Sequence, residues 1–369
     1  MSGLKRQGIR QLALLPIAGL VSLGYLSAAG AAPTTQRASA PVDASASPGQ
    51  RDERNVHLRL ERLEEAVRQL KSQSGGSSQI DQKIQALEQE LTALTQQINA
   101  LESDVGELQA LSVPADIDVN CGAGQNISAV LATYANGRAP LTIRISGTCN
   151  EAVAIHRSNV ALIGESGAAI QTPADAYGVT IDDGAANVSI SGLSILGGAG
   201  AAFVSKGARA EFTNVNAQGS RYGIVSSDNA VVDVAASTLK GNALYGAYAV
   251  RSGVVNIKAS TVQGNLAYGV YSYRGGVVAL SGTTVTGNAV GAGSRAGGVL
   301  EVSSSSVVNN TNEGVIVFKS SSVAFIDGAN TITGNSYGVY CHANAGYATA
   351  TGSPGVTSPN RFAGVSYCN

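Results

Sequence analysis

A Gly-Asn phrase recurs through the second half of the chain and restricts its fold more than any other feature. Its step is about 22 to 25 residues, and its copies are Gly241-Asn242, Gly264-Asn265, Gly287-Asn288, Asn309-Asn310 and Gly334-Asn335. Short β-rich runs that alternate apolar and polar residues keep the same step, at Val232–Val234, Val255–Ile257, Val278–Leu280 and Leu300–Val302. A repeat this short cannot bury an apolar face by itself, so its neighbours must stack on it. The repeats therefore predict an all-β solenoid.

The composition agrees with closely wound coils. The 369 residues include 45 glycines and no tryptophan, and only 13% of the residues are charged, a profile unlike that of an ordinary α/β enzyme. The formal net charge is −1. This balance gives no electrostatic reason to expect nucleic acid or an anionic membrane surface as a partner.

The first residues have the pattern of an export signal. Basic residues precede the apolar run Leu12–Leu26, and the small residues Ala29–Ala31 follow it as a cleavage pattern. A membrane anchor is the alternative, but the run is shorter than the roughly 20 residues that a helical span needs. We therefore expect a signal peptide over residues 1–31, no stable membrane span, and a secreted, periplasmic or cell-surface protein.

The four cysteines fall as two pairs, one near each end of the repeats: Cys121 with Cys149, and Cys341 with Cys368. An exported chain meets an oxidising environment, so we expect these two pairs to form disulfides that hold the terminal coils. Metal binding is the alternative. It is disfavoured because the chain has no Cys-x-x-Cys motif and only His342 lies near a cysteine.

The region before the repeats has two parts. Residues 32–50 are rich in Ala, Ser, Pro and Thr and are expected to form a linker. Residues 51–111 carry apolar heptads with a break near 74–78, and the a positions after the break are Ile84, Leu91, Ile98 and Val105. Leucine then occupies nearly every d position, which favours a parallel homomeric coiled coil. A helical hairpin within one chain, turning at the glycines of the break, is the alternative.

The repeat domain is assigned to residues 112–369. Near its start, a short segment places Ile127, Val130, Leu131 and Tyr134 on one face of a helix. Because the open end of a solenoid exposes apolar side chains, we expect this helix to cover the first coil. Strand phrases at Asn159–Gly164 and Asn187–Gly192 then begin the regular coils.

The coil length, the repeated Gly-Asn turn and these strand phrases resemble the right-handed parallel β-helix proteins of the pectate-lyase-like superfamily. The resemblance covers roughly residues 117–369. It implies that asparagines at one turn stack from coil to coil as a hydrogen-bonded ladder, here Asn242, Asn265, Asn288, Asn310 and Asn335. It also implies a polysaccharide ligand, often an acidic one, bound or cleaved on an outer face, although the fold alone does not decide the function.

Residues one repeat apart form columns, because stacked coils lie about 4.8 Å apart. An aromatic column contains Tyr222, Tyr245, Tyr268 and Tyr337, accompanied three residues later by Tyr248, Tyr271 and Tyr340. A cationic column contains Lys206, Arg251, Arg274, Arg295 and Lys319. Tyrosine faces and guanidinium groups suit sugar rings that bear carboxylates or sulfates.

We therefore predict glycan binding at Tyr245, Tyr268, Tyr271, Arg251, Arg274 and Arg295. In the alternative interpretation, the tyrosines only cover the edge of the coils and the cations are solvated.

A third column is acidic or amidic and contains Glu211, Asp233, Asn256 and Glu301. Glu211 and Asp233 on adjacent coils are candidates for a catalytic carboxylate pair or, with Asn256, for a Ca²⁺ site. Lys258 lies diagonally to Asp233 and offers a simpler role for it as an ion-pair partner. Apart from Ca²⁺ for a lyase, we expect no cofactor.

Known catalytic motifs are incomplete in this chain. The pair Asp182-Asp183 resembles the adjacent aspartates of polygalacturonases, but the Gly-His-Gly and Arg-Ile-Lys phrases of that family are missing, as is the Asp-Pro-His of alginate epimerases. None of the histidines, His57, His156 and His342, has an evident partner in the sequence. We therefore expect an exported protein that presents a surface- or glycan-binding face without catalysis. The alternative is a polysaccharide lyase, hydrolase or epimerase acting on an acidic polysaccharide.

Overall fold

The computed structural model describes residues 61–62, 64–69, 72, 78–110, 112–318, 323–327, 329–342 and 347–350. The predicted signal peptide and linker, Lys319 and Cys368 lie outside these residues. The chain divides into two compact units, Met1–Leu94 and Thr95–Asn369. Within the described ranges, no helix combines the length and the apolar character that a membrane span requires.

The heptad region is helical where it is described. Residues 64–69 are helical, and helix α1 spans Ser78–Ala110. Val67 and Ile84 are buried within the single chain, as an intrachain hairpin requires. Leu94 and Leu101 are 38% and 49% exposed, as a seam that faces a second chain requires. Both interpretations of the heptads therefore stay open, and the homomeric coiled coil stays a prediction.

The repeat domain is a solenoid in which each coil adds one parallel strand to each of three sheets. Sheet 1 consists of Ala115–Asn120, Leu141–Ser146, Val160–Gly164, Val188–Ser191, Arg209–Thr213, Val231–Ala235, Val254–Lys258, Val277–Ser281, Val299–Ser303, Val323–Ile326 and Tyr347–Ala350. Sheet 2 consists of Thr148–Cys149, Ala169–Gln171, Ser194–Leu196, Asn216–Gln218, Thr238–Lys240, Thr261–Gln263, Thr284–Thr286, Ser306–Val308 and Thr331–Thr333. Sheet 3 consists of Val153–Ile155, Tyr177–Ile181, Gly200–Val204, Tyr222–Ser227, Tyr245–Val250, Tyr268–Tyr273, Val290–Arg295, Glu313–Val317 and Tyr337–Cys341. The predicted all-β solenoid is confirmed.

Aliphatic columns fill the interior of the solenoid. In sheet 1, Val232, Val255, Val278 and Leu300 pair in register from coil to coil, and none of them has exposed surface. The alternate positions of the same strands point outward, as the period of two in a strand requires. The first and last residues of the repeated strand phrases therefore form two core columns.

The predicted asparagine ladder forms at the turn between sheet 2 and sheet 3. Each side-chain amide donates to the carboxamide oxygen one coil further on, over 2.9 Å from Asn242 to Asn265, 2.8 Å to Asn288, and 3.0 Å to both Asn310 and Asn335. The backbone N–H of each residue donates to the same oxygen. All five residues are buried, so the ladder satisfies polar groups that have no access to water.

A second ladder, built from hydroxyl groups, follows the strands of sheet 1. The backbone N–H of Ser237 donates to Ser260 Oγ over 3.1 Å, and that of Thr283 donates to Ser305 Oγ over 3.1 Å. Ser305 N–H then donates to the side-chain oxygen of Asn330 over 2.8 Å. Sequence analysis did not identify this ladder, because serine and threonine are also common at exposed turn positions.

The first coil is closed by the predicted helix. Helix α2 spans Ile127–Thr133, and its buried residues Ile127 and Leu131 join the core. The Glu151 carboxylate accepts the N–H groups of Ile127 and Ser128 over 2.7 and 3.0 Å, which satisfies the first turn of the helix. The buried guanidinium of Arg157 donates to the carbonyl of Tyr134 over 2.8 Å and so fixes the chain after the helix.

The same end of the domain carries the predicted disulfide between Cys121 and Cys149. It joins the entry of the repeat domain to the first coil, 28 residues later. Cys341 is buried in the last described strand of sheet 3, but its predicted partner Cys368 lies outside the described residues. The second bridge stays a prediction.

Candidate functional site: the tyrosine surface of sheet 3

Six tyrosines on the outer side of sheet 3 form one surface across three coils. We call this set the tyrosine surface: Tyr222, Tyr245, Tyr248, Tyr268, Tyr271 and Tyr273. Tyr222, Tyr245 and Tyr268 are register partners on successive strands, and so are Tyr248 and Tyr271. The two predicted aromatic columns therefore exist and lie side by side.

The asparagine ladder explains why these tyrosines lie where they do. Each first-column tyrosine is followed by a glycine that packs directly on the ladder. A Cβ on Gly246 would lie 2.8 Å from Asn265 Nδ2 and 2.7 Å from the carbonyl oxygen of Gly269, distances that real Cβ contacts do not reach. Only glycine permits this approach, and the alternation of the strand then directs Tyr245 outward.

The rings contact one another as a continuous layer. Ring centroids are 5.6 Å apart from Tyr222 to Tyr245 and from Tyr245 to Tyr268, and 4.6 Å apart in the stacked pair Tyr268–Tyr271. Tyr271 is only 7% exposed, because its neighbours cover it. Tyr245 and Tyr268 are half-buried, so each keeps a part of its ring accessible. Tyr271 therefore supports the layer, and the first column offers ring faces to a ligand.

Burial raises the pKa values of four phenol groups in this layer. Burial raises the pKa of Tyr271 to about 12, with a further contribution from Tyr245 and an opposing one from Arg295. Burial also raises the pKa values of Tyr245, Tyr248 and Tyr268 above 10.0, again with contributions from neighbouring tyrosines. At neutral pH these four tyrosines consequently present neutral hydroxyl groups that can donate hydrogen bonds.

The register corrects the predicted cationic column. Arg251 and Arg274 occupy the left-handed turn after sheet 3, with φ near 47 and 48°, and the corresponding residue of the next coil is Ala296, with φ 52°. Arg295 instead pairs in register with Tyr273 on the strand. The spacing from Arg274 to Arg295 is close to a coil length but not equal to it. The sequence alone therefore did not show that Arg274 lies in the turn and Arg295 on the strand.

Arg251 is also not a free cation. Its Nε donates to Asp228 Oδ1 over 2.7 Å and its Nη2 donates to Asp228 Oδ2 over 3.0 Å. The pair holds the pKa of Asp228 below its usual value, chiefly through the hydrogen bond from Arg251. Two coils before Arg251 in the same turn, Lys206 contacts Asp183 over 3.0 Å. Acidic and basic residues therefore alternate along the first part of this turn and neutralise one another.

Three other guanidinium groups border the tyrosine surface. Arg221 lies over the ring of Tyr222 and Arg274 over the ring of Tyr273, with 5.3 and 5.1 Å to the ring centroids. Arg295 lies over the ring of Phe318, 5.7 Å from its centroid, and its positive charge opposes the rise in the pKa of Tyr271. Within the described residues, none of these three arginines forms an ion pair with a carboxylate. Arg221 was not among the predicted site residues, because the corresponding residues of the next two coils, Leu244 and Ala267, are not basic.

The acidic column of sheet 1 exists in the predicted register. Glu211 pairs with Asp233, Asp233 with Asn256, and Ala279 separates Asn256 from Glu301. Both carboxylates are exposed on the outer face of the sheet. Asp233 Oδ1 accepts a hydrogen bond from Asn256 Nδ2 over 2.8 Å, so an amide, not Lys258, is its partner in the structure. The roles of Glu211 and Asp233 in catalysis, and of both with Asn256 in Ca²⁺ binding, stay predictions.

His156 has the partners that the sequence did not reveal. Its Nδ1 contacts Asp182 Oδ1 and lies 3.6 Å from Asp183 Oδ2. Lys206 Nζ contacts Asp182 over 2.8 Å. Burial alone would raise the pKa of Asp182, but hydrogen bonds from Lys206 and His156 lower it on balance. The side chains of His156, Asp182, Asp183 and Lys206 all come just after sheet-3 strands, on the first three coils. This shared position in the repeat could have indicated the cluster from the sequence.

This cluster has the donor atoms for a metal ion. One ligand atom from each of His156, Asp182 and Asp183 lies within 4.8 Å of the others. However, the ammonium group of Lys206 already contacts both carboxylates, so a metal ion would have to displace it. The other grouping of this kind, Cys121, Cys149 and Glu151, loses its thiolate ligands to the disulfide.

Comparison with known proteins concerns the repeat domain. Residues 222–365 match the family model described as "Right handed beta helix region". Among solved structures, the chain is similar to the A-module of the Azotobacter vinelandii mannuronan C-5 epimerase AlgE6. The two share 14% identity with a TM-score of 0.43 over 64% of this chain and 91% of that chain.

A second similar structure is the catalytic domain of a GH87 α-1,3-glucanase in complex with nigerose. Identity is 12% and the TM-score is 0.28, over 65% of this chain and 65% of that chain. No curated protein sequence matches the chain. The three parallel sheets, stacked coil on coil, and the matching family model show that the repeat domain of this chain is a right-handed parallel β-helix.

Proposed function

We propose that the protein binds an acidic polysaccharide on the tyrosine surface without cleaving it. The observation that carries this proposal is a continuous layer of six tyrosine rings, bordered by the guanidinium groups of Arg221, Arg274 and Arg295. The layer extends along the axis of the solenoid over three coils. It therefore suits a linear ligand with repeated contacts better than a compact small molecule.

A sugar chain matches the chemistry of the rings. Half-buried tyrosines such as Tyr245 and Tyr268 offer a ring face for the C–H surface of a pyranose and a neutral hydroxyl for its polar edge. Because neighbouring rings hold each other in place, little side-chain entropy is lost when a ligand binds. A rigid aromatic layer of this kind favours binding.

The bordering charges favour an acidic ligand. Arg251 is neutralised by Asp228, but Arg221, Arg274 and Arg295 contact aromatic groups instead of carboxylates among the described residues. A guanidinium group that lies over a ring still directs N–H groups at an approaching carboxylate or sulfate. The polysaccharide that we propose therefore carries such groups.

The proposal extends to the context of the site. An export signal over residues 1–31 would place the β-helix outside the cytoplasm, where polysaccharides occur. Oligomerisation through the heptads of residues 51–111 would link several tyrosine surfaces, and linked sites raise the effective concentration of the ligand without new contacts. Neither statement is needed for the binding site itself.

Binding to immobilised acidic and neutral polysaccharides tests the proposal. We expect the protein to bind acidic polysaccharides, and replacement of Arg221, Arg274 and Arg295 by alanine to weaken binding at least tenfold and to reduce its salt dependence. Replacement of Tyr222, Tyr245 and Tyr268 by alanine should weaken binding at every salt concentration, because stacking is not screened.

The control variant removes the same positive charge elsewhere. Arg138, Arg209 and Lys258 are exposed residues outside sheet 3, so their replacement by alanine changes the net charge equally. Binding by this control should match the unaltered protein. If the sheet-3 arginine variant also binds every acidic polysaccharide as the unaltered protein does, the proposed site is wrong.

A specific observation also favours an enzyme as the second candidate. His156, Asp182 and Lys206 form a contacting acid–base cluster after strands of the same sheet, and a polysaccharide lyase, hydrolase or epimerase needs groups of this kind. Incubation with acidic polysaccharides, followed by assays for unsaturated products, new reducing ends and altered uronate composition, tests this candidate. Activity that is lost in the His156→Ala variant would replace the binding-only proposal.

A further inference from the structure

A groove runs along the corner that follows sheet 2, and none of the roles described above uses it. Its volume is about 680 Å³, and it is widely open to solvent. On five successive coils, it is lined by the last residue of the sheet-2 strand and by the glycine after that residue. The central wall residues are Gln218, Lys240 and Gln263, which pair in register. Five coils at a spacing of about 4.8 Å give the groove a length of roughly 19 Å.

The glycines keep the groove open. Gly241 and Gly264 have φ 61 and 62°, and nothing lies within 4 Å of a Cβ added to either. The left-handed turn explains why glycine is favoured there. The empty space in front of Gly219, Gly241 and Gly264 shows that no side chain of the fold packs into the middle of the groove. This volume, within the usual range for ligand sites, is therefore accessible to a ligand.

The backbone along the groove is already hydrogen-bonded. Gly241 N–H donates to the carbonyl of Gln263 over 3.1 Å, and Gly264 N–H donates to the carbonyl of Thr286 over 3.1 Å. An added peptide strand needs free backbone groups along its path, and these N–H groups do not supply them. Recognition in this groove therefore depends on side chains.

The side chains that line the groove have spare hydrogen-bonding capacity. Gln218, Lys240 and Gln263 are half-buried. Within the described part of the chain, none of the three side chains has a hydrogen bond or an ion pair. Each glutamine amide offers two N–H donors and an acceptor oxygen. Sugar hydroxyl groups both donate and accept, so they match this row of amides.

We propose that this groove binds a neutral, hydroxyl-rich polysaccharide chain, at a site distinct from the tyrosine surface. One ammonium group, that of Lys240, stands between the two amides of Gln218 and Gln263. A single cation cannot match a carboxylate on every sugar of an acidic chain, whereas amide pairs match hydroxyl groups on each sugar. The open glycine turns leave room for the rings beside the amides.

Titration calorimetry with cellohexaose, xylohexaose and mannohexaose tests this proposal on the full chain. We expect at least one of these neutral hexasaccharides to bind, with an affinity that does not change with salt. The double variant Gln218→Ala/Gln263→Ala should weaken binding at least tenfold. Gly241→Asn should do the same, because asparagine tolerates a positive φ and its side chain would enter the groove.

Gly167→Asn is the matched control. Gly167 also has a positive φ, 80°, with nothing within 4 Å of an added Cβ, but it does not line the groove. This control should bind as the unaltered protein does, and so should the variant that lacks Arg221, Arg274 and Arg295. The proposal is overturned if none of the three hexasaccharides binds, or if the groove variants bind as well as the control. The acidic-polysaccharide proposal fails independently, because its probes and its residues are different.

Discussion

Arg295 pairs in register with Tyr273, one residue before the turn position that Arg274 occupies. The two arginines therefore contact different parts of the tyrosine surface. Arg274 lies over the ring of Tyr273, whereas Arg295 lies over the ring of Phe318 and opposes the rise in the pKa of Tyr271. Arg251 forms an ion pair with Asp228. The three arginines of the predicted column therefore have three different sets of contacts.

The first prediction separates Arg251 from Arg274. Arg251→Ala should leave acidic-polysaccharide binding unchanged, because the guanidinium is already bound to Asp228. It should lower the free energy of unfolding by at most about 1 kcal/mol, since the pair is half-exposed. Arg274→Ala should weaken binding and flatten its salt dependence. Binding at two salt concentrations and urea unfolding measure these effects, and equal losses of binding in both variants would contradict the assignment.

The second prediction concerns stability at high pH. Tyrosine in the unfolded chain ionises near 10.0, whereas burial raises the pKa of Tyr271 to about 12 in the folded state. A raised folded pKa gives stability that is complete below pH 10 and is lost as the pH rises toward 12. Each such tyrosine contributes at most about 1.4 kcal/mol per pH unit in this interval.

Urea unfolding between pH 8 and about pH 12 measures this loss, and near-ultraviolet absorbance reports the ionisation of tyrosine. Tyr271→Phe should show a smaller loss of stability across the interval. A slope equal to that of the unaltered protein would show that folding does not raise the pKa of Tyr271 above its value in the unfolded chain.

The third prediction tests the packing of the glycine column on the asparagine ladder. Gly246→Ala should lower the free energy of unfolding by roughly 1 to 3 kcal/mol or more, because the new methyl group overlaps Asn265 Nδ2 and backbone atoms of the next coil. Ala243→Ser, at an exposed turn residue of the same coil, should change stability by less than about 0.5 kcal/mol. Equal stability of the two variants would refute the close approach.

The fourth prediction concerns the two cysteine pairs. Peptide mapping without reduction should recover Cys121 linked to Cys149, as in the structure, and Cys341 linked to Cys368. Closure of a loop of this length stabilises a fold by roughly 3 to 4 kcal/mol, so reduction should lower the midpoint of thermal unfolding. Recovery of Cys368 as a free thiol would rule out the second bridge.

The fifth prediction concerns assembly. A protein of residues 51–369 should sediment as an oligomer, and a protein of residues 113–369 should be a folded monomer with its own hydrophobic core. The exposed Leu94 and Leu101 of helix α1 provide the apolar seam for a second chain. If both proteins sediment as monomers, the helical hairpin is the correct interpretation of the heptads.

The sequence by itself determined the architecture of the repeat domain. Its period predicted the stacked coils and the aromatic columns, because each follows from residues recurring at one position of the repeat. The asparagine ladder was predicted from the resemblance to right-handed β-helix proteins, and the covering helix from the apolar face of a single segment. The disulfide between Cys121 and Cys149 was likewise predicted from spacing within about one coil. Stacking converts a period in sequence directly into a column in space.

Only the tertiary structure decided which polar groups meet. Tyr271 and Gly293 are register partners 22 residues apart, whereas Arg274 and Arg295 are 21 apart, and that single residue moves Arg295 from the turn to the strand. The contact of His156 with Asp182 spans 26 residues, across one of the longer coils. The groove beside Gly241 likewise depends on turn geometry. Coil lengths vary by a few residues, and one residue reverses the side of a strand on which a side chain lies, so charged contacts depend on a register that the period alone does not fix.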